Sequence, residues 1–290
     1  MDRSHYYVPE PSHWPLVGSV GLFTLVLGVA CLLNQLTTIG SLAMAAGLVI
    51  FVVMLFGWFG TVVAESLDGR YNDQVDASFR WGMVWFIASE VMFFAAFFGA
   101  LFYARHFSVP WLGGLGAKGI AHDVLWPSFV ATWPLLALPD ASHFAVATEG
   151  MAAFGIPALN TAILLSSGAT VTWAHWGLKL ERRRQTIAGL AATVALGLLF
   201  IALQAHEYWD AYMLHNLRLS SGIYGSTFYM LTGFHGAHVT IGAIMLSVIL
   251  VRAIRGHFTP DRHFAFEAVS WYWHFVDVVW LGLFVFVYLL

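Results

Sequence analysis

Apolar residues run in long stretches along most of the chain, separated by short polar or Gly/Pro-bearing segments. A bilayer core of about 30 Å needs roughly 20 apolar residues per helix. Seven stretches meet that length, at 15–36, 41–65, 80–103, 156–176, 186–206, 225–251 and 268–290. A further apolar run, 124–138, is broken by Pro127 and Pro134 and followed by Pro139. Proline removes a backbone donor and clashes with the preceding turn, so this run reads as a capping or interfacial segment within a long 105–155 loop. The pattern predicts an all-α, polytopic membrane protein with seven transmembrane helices, forming a single membrane domain over 1–290.

Composition agrees. Apolar residues make up 59% of the 290 residues and charged ones 10%, against about 45–50% and about 25% in soluble domains. The aromatic share of 16%, with 13 Trp, suits belts at the two membrane–water interfaces. A net charge of −3 gives no basic footprint, so no nucleic-acid partner is expected. The single cysteine, Cys31, excludes an internal disulfide and reads as a small buried hydrophobe rather than a lipidation site. Segment 1–14 is polar, with one arginine and two prolines, and lacks the features of a secretory signal.

The cations fix an orientation. Ten of them (Arg3, Arg70, Arg80, Lys179, Arg182, Arg183, Arg184, Arg252, Arg255 and Arg262) fall on one side of the seven-span reading, and three (Arg105, Lys118, Arg218) on the other. The positive-inside rule then puts the N-terminus in the cytoplasm and the C-terminus outside.

Ionisable groups inside spans are costly and mark functional candidates. Glu90 lies ten residues past Arg80, so about 15 Å along a helix. It is either a protonatable site or a hydrogen-bonded anchor between helices. His235 and His238 share a helix face at i, i+3, and His274 and Asp277 repeat that spacing. Imidazole suits Zn, Cu and Fe, but a bare His-x-x-His without further ligands is a weak motif. Interhelical hydrogen bonds are the expected use, with His274 directed to Asp277 or to the sixth span; no metal is expected. Gln204 to Trp209 and Glu65 read as ordinary helix ends near water. The run from Lys179 to Arg184 reads as a topology anchor against anionic headgroups, and Arg252, Arg255 and His257 as a cluster able to hold a phospholipid phosphate. The sequence carries no Gly-rich phosphate loop, Ser/His/Asp triad or Cys-x-x-Cys.

Several of these segments resemble subunit III of the haem–copper cytochrome c oxidases. The resemblance runs along most of the chain, through Trp14-Pro15-Leu16, Phe86 to Phe94 around Glu90, Pro157 to Thr161, and Thr172 to His175. It continues through Gln204 to Tyr208, Tyr224 to Phe228, and Thr232 to Gly236, and is strongest in Phe266-Glu267 and Trp271 to Trp280. The resemblance implies seven helices in a two-plus-five arrangement around a phospholipid-holding cleft. It implies no haem or copper in this chain, those centres belonging to partner subunits I and II. It also implies direct packing on subunit I, cytochrome c as donor to the complex, support of proton uptake, and a place in a bacterial inner membrane with a periplasmic C-terminus. Glu90 matches the family's carbodiimide-reactive carboxylate, and Trp58, Glu65, Arg252 and His257 match positions at or near its lipid cleft.

Two departures stand out. The 105–155 connection is longer than the family's usual third loop. The turn after the second span reads Asp68-Gly69-Arg70-Tyr71-Asn72 in place of a histidine-containing one, which makes Arg70 or Tyr71 the substitute candidate for a headgroup. Competing readings are the equivalent subunit of a quinol oxidase or nitric oxide reductase, a stand-alone seven-helix proton channel or transporter, and a haem-bearing cytochrome using His235 and His274.

Overall fold

A computed structural model describes residues 7–8, 10–116 and 119–290; Arg3 and Lys118, used in the charge comparison, lie outside them. The helices are α1 (Trp14–Leu33), α2 (Thr37–Leu67), α3 (Asp73–Tyr103), the short α4 (Val109–Leu112) and α5 (Ile120–Leu125), then α6 (Ile156–Lys179), α7 (Arg183–Met213), α8 (Gly222–Ile254) and α9 (Phe264–Leu283). Among the described residues no strand forms beyond an isolated bridge, Thr259 to Arg262. Hydrocarbon offers no partner to a bare peptide group, so helices that satisfy their own backbone are the available solution.

Each predicted span becomes a helix. Among the described residues six are long and apolar enough to cross a membrane: α1, α2, α3 with its extension to Leu112, α7, α8, and α9 with its extension to Leu289. The first extension is a π-helical turn, Ala104–Ser108, running into α4, and the second is π-helical, Phe284–Leu289. The 24-residue α6 falls short in composition. It carries Asn160, Thr161, Ser167, Thr170 and Thr172, and their partners are other helices rather than lipid.

Four helices close in the same way. After α1, α2, α6 and α8 the chain enters the left-handed region at Gln35, Gly69, Glu181 and Gly256. The next residue's N–H then returns to the carbonyl five positions back: Leu36 to Cys31, Arg70 to Glu65, Arg182 to Gly177 and His257 to Arg252. This is the Schellman motif. It reduces the connections between α1 and α2, and between α6 and α7, to three residues each.

The chain forms two compact units, residues 1–81 and 82–290. In the first, α1 and α2 form a hairpin on glycine faces. Gly21 and Gly28 on α1, and Gly40 and Gly47 on α2, recur every seven residues. A Cβ at Gly28 would lie 2.5 Å from the Met44 backbone nitrogen, and one at Gly40 2.8 Å from that of Leu32. Small residues let membrane helices approach until backbones touch. Cys31, expected to be buried, is partly exposed because α1 has only α2 to cover it within this unit.

In the second unit α6, α7, α8 and α9 close a ring, α6 against α7 and α9, and α8 against the same two. Trp273 of α9 is fully buried at its centre. Its indole N–H donates to Ser167 Oγ of α6 at 2.8 Å. A Cβ at Gly197 of α7 or Gly242 of α8 would approach the ring carbons to 2.8 Å. Two turns on, Trp280 donates to Thr161 of α6 at 2.9 Å. The polarity of α6 thus serves the two indoles of α9.

The long loop lies over the α7–α8 turn, with Phe129, Leu135 and Ala147 buried. Ala145 and Thr148 donate backbone N–H groups to Ser220 and His215. Asn216 donates to the Val146 carbonyl, and the Tyr224 hydroxyl accepts from the Met151 N–H. Part of this connection is therefore a cap.

Overfilling the Trp273 seat with Gly242→Val is expected to cost about 1–3 kcal/mol, and Ser167→Ala about 1 kcal/mol. Thermal unfolding of the purified chain in detergent, alongside the parent, checks both magnitudes and their order.

Candidate functional site

Glu90 of α3 meets His238 of α8, with Oε2 to Nε2 at 2.9 Å. The other imidazole nitrogen, Nδ1, lies 2.6 Å from the Phe234 carbonyl one turn back. A carbonyl only accepts, so Nδ1 carries a hydrogen, and this settles the tautomer. Nε2 then faces the carboxyl with either a lone pair or a second hydrogen. In the first case Glu90 is the acid and donates; in the second the pair is imidazolium and carboxylate. Both arrangements hold one proton between the two groups, and moving it across 2.9 Å converts one into the other.

Packing holds this pair in register. The His238 ring lies 5.0 Å from the Phe94 ring and 6.4 Å from that of Tyr272. Phe93 and Phe97 pack on Phe234. The His238 side chain is 14% exposed and that of Glu90 22%. The pair is thus screened from the surroundings without being sealed from them.

The remaining predicted polar residues go to separate places. His235, one turn before His238 and on the same helix, is fully buried. Its Nε2 donates to the Val276 carbonyl of α9 at 3.2 Å, and its ring packs on Phe200 and Trp280. His274 reaches α6 rather than the sixth predicted span. Thr172 spends its hydroxyl hydrogen on the Gly168 carbonyl, so at 3.2 Å it accepts from His274 Nε2. That leaves His274 Nδ1 3.7 Å from Asp277. Asp277 fits against α6 because the facing residue there is Gly168, where a Cβ would meet the carboxylate.

In the first unit, Glu65 is engaged by two phenols and is not simply a solvated helix end. Tyr7 donates to Oε1 at 3.1 Å and Tyr71 to Oε2 at 2.7 Å. Burial, together with the neighbouring Glu65 carboxylate, pushes the Tyr71 phenol well above its ordinary range, so it remains a donor. Trp58 stands on α2 with 42% of its surface exposed.

Arg252 and His257 are brought together by the Schellman turn at the end of α8, in which the His257 N–H bonds to the Arg252 carbonyl. The Arg252 guanidinium lies 4.6 Å over the Phe258 ring. Partial burial, with the charges of Arg252 and Arg255 beside it, holds the His257 imidazole below its ordinary range. At neutral pH the fixed charge of this cluster is therefore arginine.

Glu207 is what sequence reasoning missed. Read as a helix end near water, it is 1% exposed. Two causes are visible: α7 continues to Met213, and the closing turn of the chain returns to this face. Tyr288 lies against Glu207 and Gln204, and Asn160 of α6 donates to the Gln204 side chain at 3.4 Å. The signal was present in the spacing of Phe200, Gln204, Glu207 and Ala211, which fall on one helix face and are all buried.

Known proteins resemble the chain over nearly its whole length. The family model described as Cytochrome c oxidase subunit III matches residues 4–122 and 123–290. A protein named "Cytochrome c oxidase subunit 3" from the lancelet Branchiostoma lanceolatum is 42% identical over 285 residues, covering 98% of this chain and 95% of its own length. Proteins of the same name from Danio rerio and Cyprinus carpio are 40% and 39% identical, each covering 98% of this chain and 96% of their own.

The shared proton predicts different outcomes for two substitutions at Glu90. A glutamine amide can donate to His238 Nε2, so Glu90→Gln is expected to keep the fold while removing the exchangeable acid. Glu90→Ala strands the imidazole and should cost about 1–3 kcal/mol. Thermal unfolding of both variants beside the parent checks this. With the family model spanning nearly the whole length and relatives near 40% identity, the chain belongs to the cytochrome c oxidase subunit III family.

Proposed function

We propose that this chain is the non-redox third subunit of a cytochrome c oxidase complex, packed directly on the haem–copper subunit I, with the copper-bearing subunit II beside it and cytochrome c as electron donor. The observation that carries this reading is similarity across 98% of the chain to proteins named cytochrome c oxidase subunit 3. Haem and copper would then be held by those partners. Counting α6, the chain spans the membrane seven times, in a two-plus-five division. Burial of α6 among helices accounts for its polarity. The charge distribution supports an N-terminus on the cytoplasmic side and a C-terminus on the opposite side; the membrane proposed is a bacterial inner membrane, with that C-terminus in the periplasm.

The chain's own contribution follows from its polar residues. Glu90 and His238 hold one proton inside the helix packing, which suits a part in sustaining proton uptake by the catalytic subunit. Trp58 and Glu65 in the first unit, and Arg252 and His257 in the second, serve as phospholipid contacts. Arg252 presents a planar fork to a phosphate, and Trp58 an exposed indole at a membrane interface.

Isolation of the tagged chain in mild detergent should bring down a haem–copper subunit, visible in a reduced-minus-oxidised spectrum and by mass spectrometry. A pure, colourless chain would overturn the assignment. In that complex, Glu90→Gln is expected to leave haem content unchanged and to alter turnover lifetime or proton uptake modestly.

For lipid, Arg252→Ala should lose more bound phospholipid at pH 7.5 than His257→Ala, because the depressed imidazole is neutral there. As pH falls His257 gains charge and its share of the retention should grow. Native mass spectrometry of the complex counts the lipids, and equal retention in both variants and the parent would count against these contacts.

A further inference from the structure

At one end of the second unit three side chains converge to which neither the motifs nor the family reading gave a role. His175 lies in the last turn of α6, His263 is the N-cap of α9, and Glu267 is one turn into α9. One nitrogen or oxygen from each lies within 4.8 Å of the others. Glu267 Oε1 is 3.6 Å from His175 Nε2 and 3.3 Å from His263 Nε2. All three are largely buried, the side chains of His175, His263 and Glu267 being 19%, 8% and 12% exposed.

The hydrogen bonding around them is that of ligands. His263 Nδ1 lies 3.1 Å from the Thr259 carbonyl, which only accepts, so the ring hydrogen sits on Nδ1. On a neutral ring Nε2 then presents a lone pair, 3.3 Å from the carboxylate oxygen. A backbone carbonyl on the far nitrogen is the usual way a protein fixes the tautomer of a metal-bound histidine. Neither His263 Nε2 nor His175 Nε2 has a hydrogen-bond partner among the described residues, although both are buried. Two lone-pair atoms this close repel unless a cation or a proton lies between them. The His175 ring is held in place by stacking on Phe266 at 5.4 Å.

The spacing fits a small divalent ion. Zinc binds imidazole nitrogen at about 2.0–2.1 Å and carboxylate oxygen at about 2.0–2.2 Å in a tetrahedron. Its edges are then about 3.4 Å, beside the 3.3 and 3.6 Å found here. Two imidazoles and one carboxylate make a donor set that zinc accepts, with the fourth position left to water. The C-terminal end of α6 adds a favourable field for a cation.

We propose that His175, His263 and Glu267 form a zinc site joining the end of α6 to the start of α9. The ion acts as a structural clamp on the last helix and takes no part in electron transfer.

The test uses the intact complex and zinc itself. Parent, His175→Asn and Glu267→Gln complexes are stripped with a chelator, reloaded with zinc sulfate, desalted and assayed for metal by plasma mass spectrometry. The parent should retain one zinc per chain that each variant loses, which subtracts any zinc held elsewhere in the complex. Zinc-edge X-ray absorption on the parent should show imidazole scattering with N/O neighbours at about 2.0–2.1 Å. Both substitutions are polar and near in size, and an anomalous difference map of the parent at the zinc edge locates the ion without any variant. Equal zinc in parent and variants, or no density at this cluster, would overturn the proposal and leave a proton as the group between the two side chains.

Discussion

The second unit depends on one buried indole. Trp273 has a large apolar surface and a single polar hydrogen. In a core without water, both must be satisfied by neighbouring helices. Glycines on α7 and α8 admit the ring, and a serine on α6 takes its hydrogen. Each of the three surrounding helices thus contributes one small residue to the same side chain. Trp280 repeats the arrangement one level along through Thr161. Hydrophobic burial discriminates poorly between helix pairs in lipid, because lipid tails are as apolar as leucine. Shape and hydrogen-bond donors specify the ring instead.

The same constraint shapes the polar sites. His235, His238 and His274 are close in sequence pattern but differ in role because each first bond is different. His235 is used up by a backbone carbonyl of α9 and His274 by a threonine of α6. His238 has its second nitrogen 2.9 Å from a carboxyl oxygen, whereas that of His274 stands 3.7 Å from one. The backbone carbonyl of Phe234 turns that contact from a generic polar one into a pair with a defined proton count.

Much of the fold was legible in the sequence because the membrane imposes a length and a composition on each span. All seven stretches became helices, with ends shifted by a few residues at most sites. The harder features are those that composition does not encode. The α6 helix reads as a span by length, yet its hydroxyls belong to indoles more than a hundred residues away. Glu207 resembles a helix end because its burial comes from the continuation of α7 and from Tyr288, distant in sequence. Glu90 was identifiable as an anchor, but its partner was not, since an i, i+3 histidine pair does not reveal which member faces α3 and which faces α9. The cluster of His175, His263 and Glu267 escaped notice for a similar reason: only the approach of α6 to the start of α9 brings it together.

The placement of both indoles on α9 has a consequence for biosynthesis. Ribosomes deliver α6, α7 and α8 to the membrane before α9, so for a time these three helices present glycine grooves and unclaimed hydroxyls with nothing to fill them. The arrival of the last helix supplies ring and donor together and closes the unit in a single event. A chain arrested before that helix would therefore expose a ready-made groove, giving membrane quality control a physical mark by which to tell an unfinished product from a finished one.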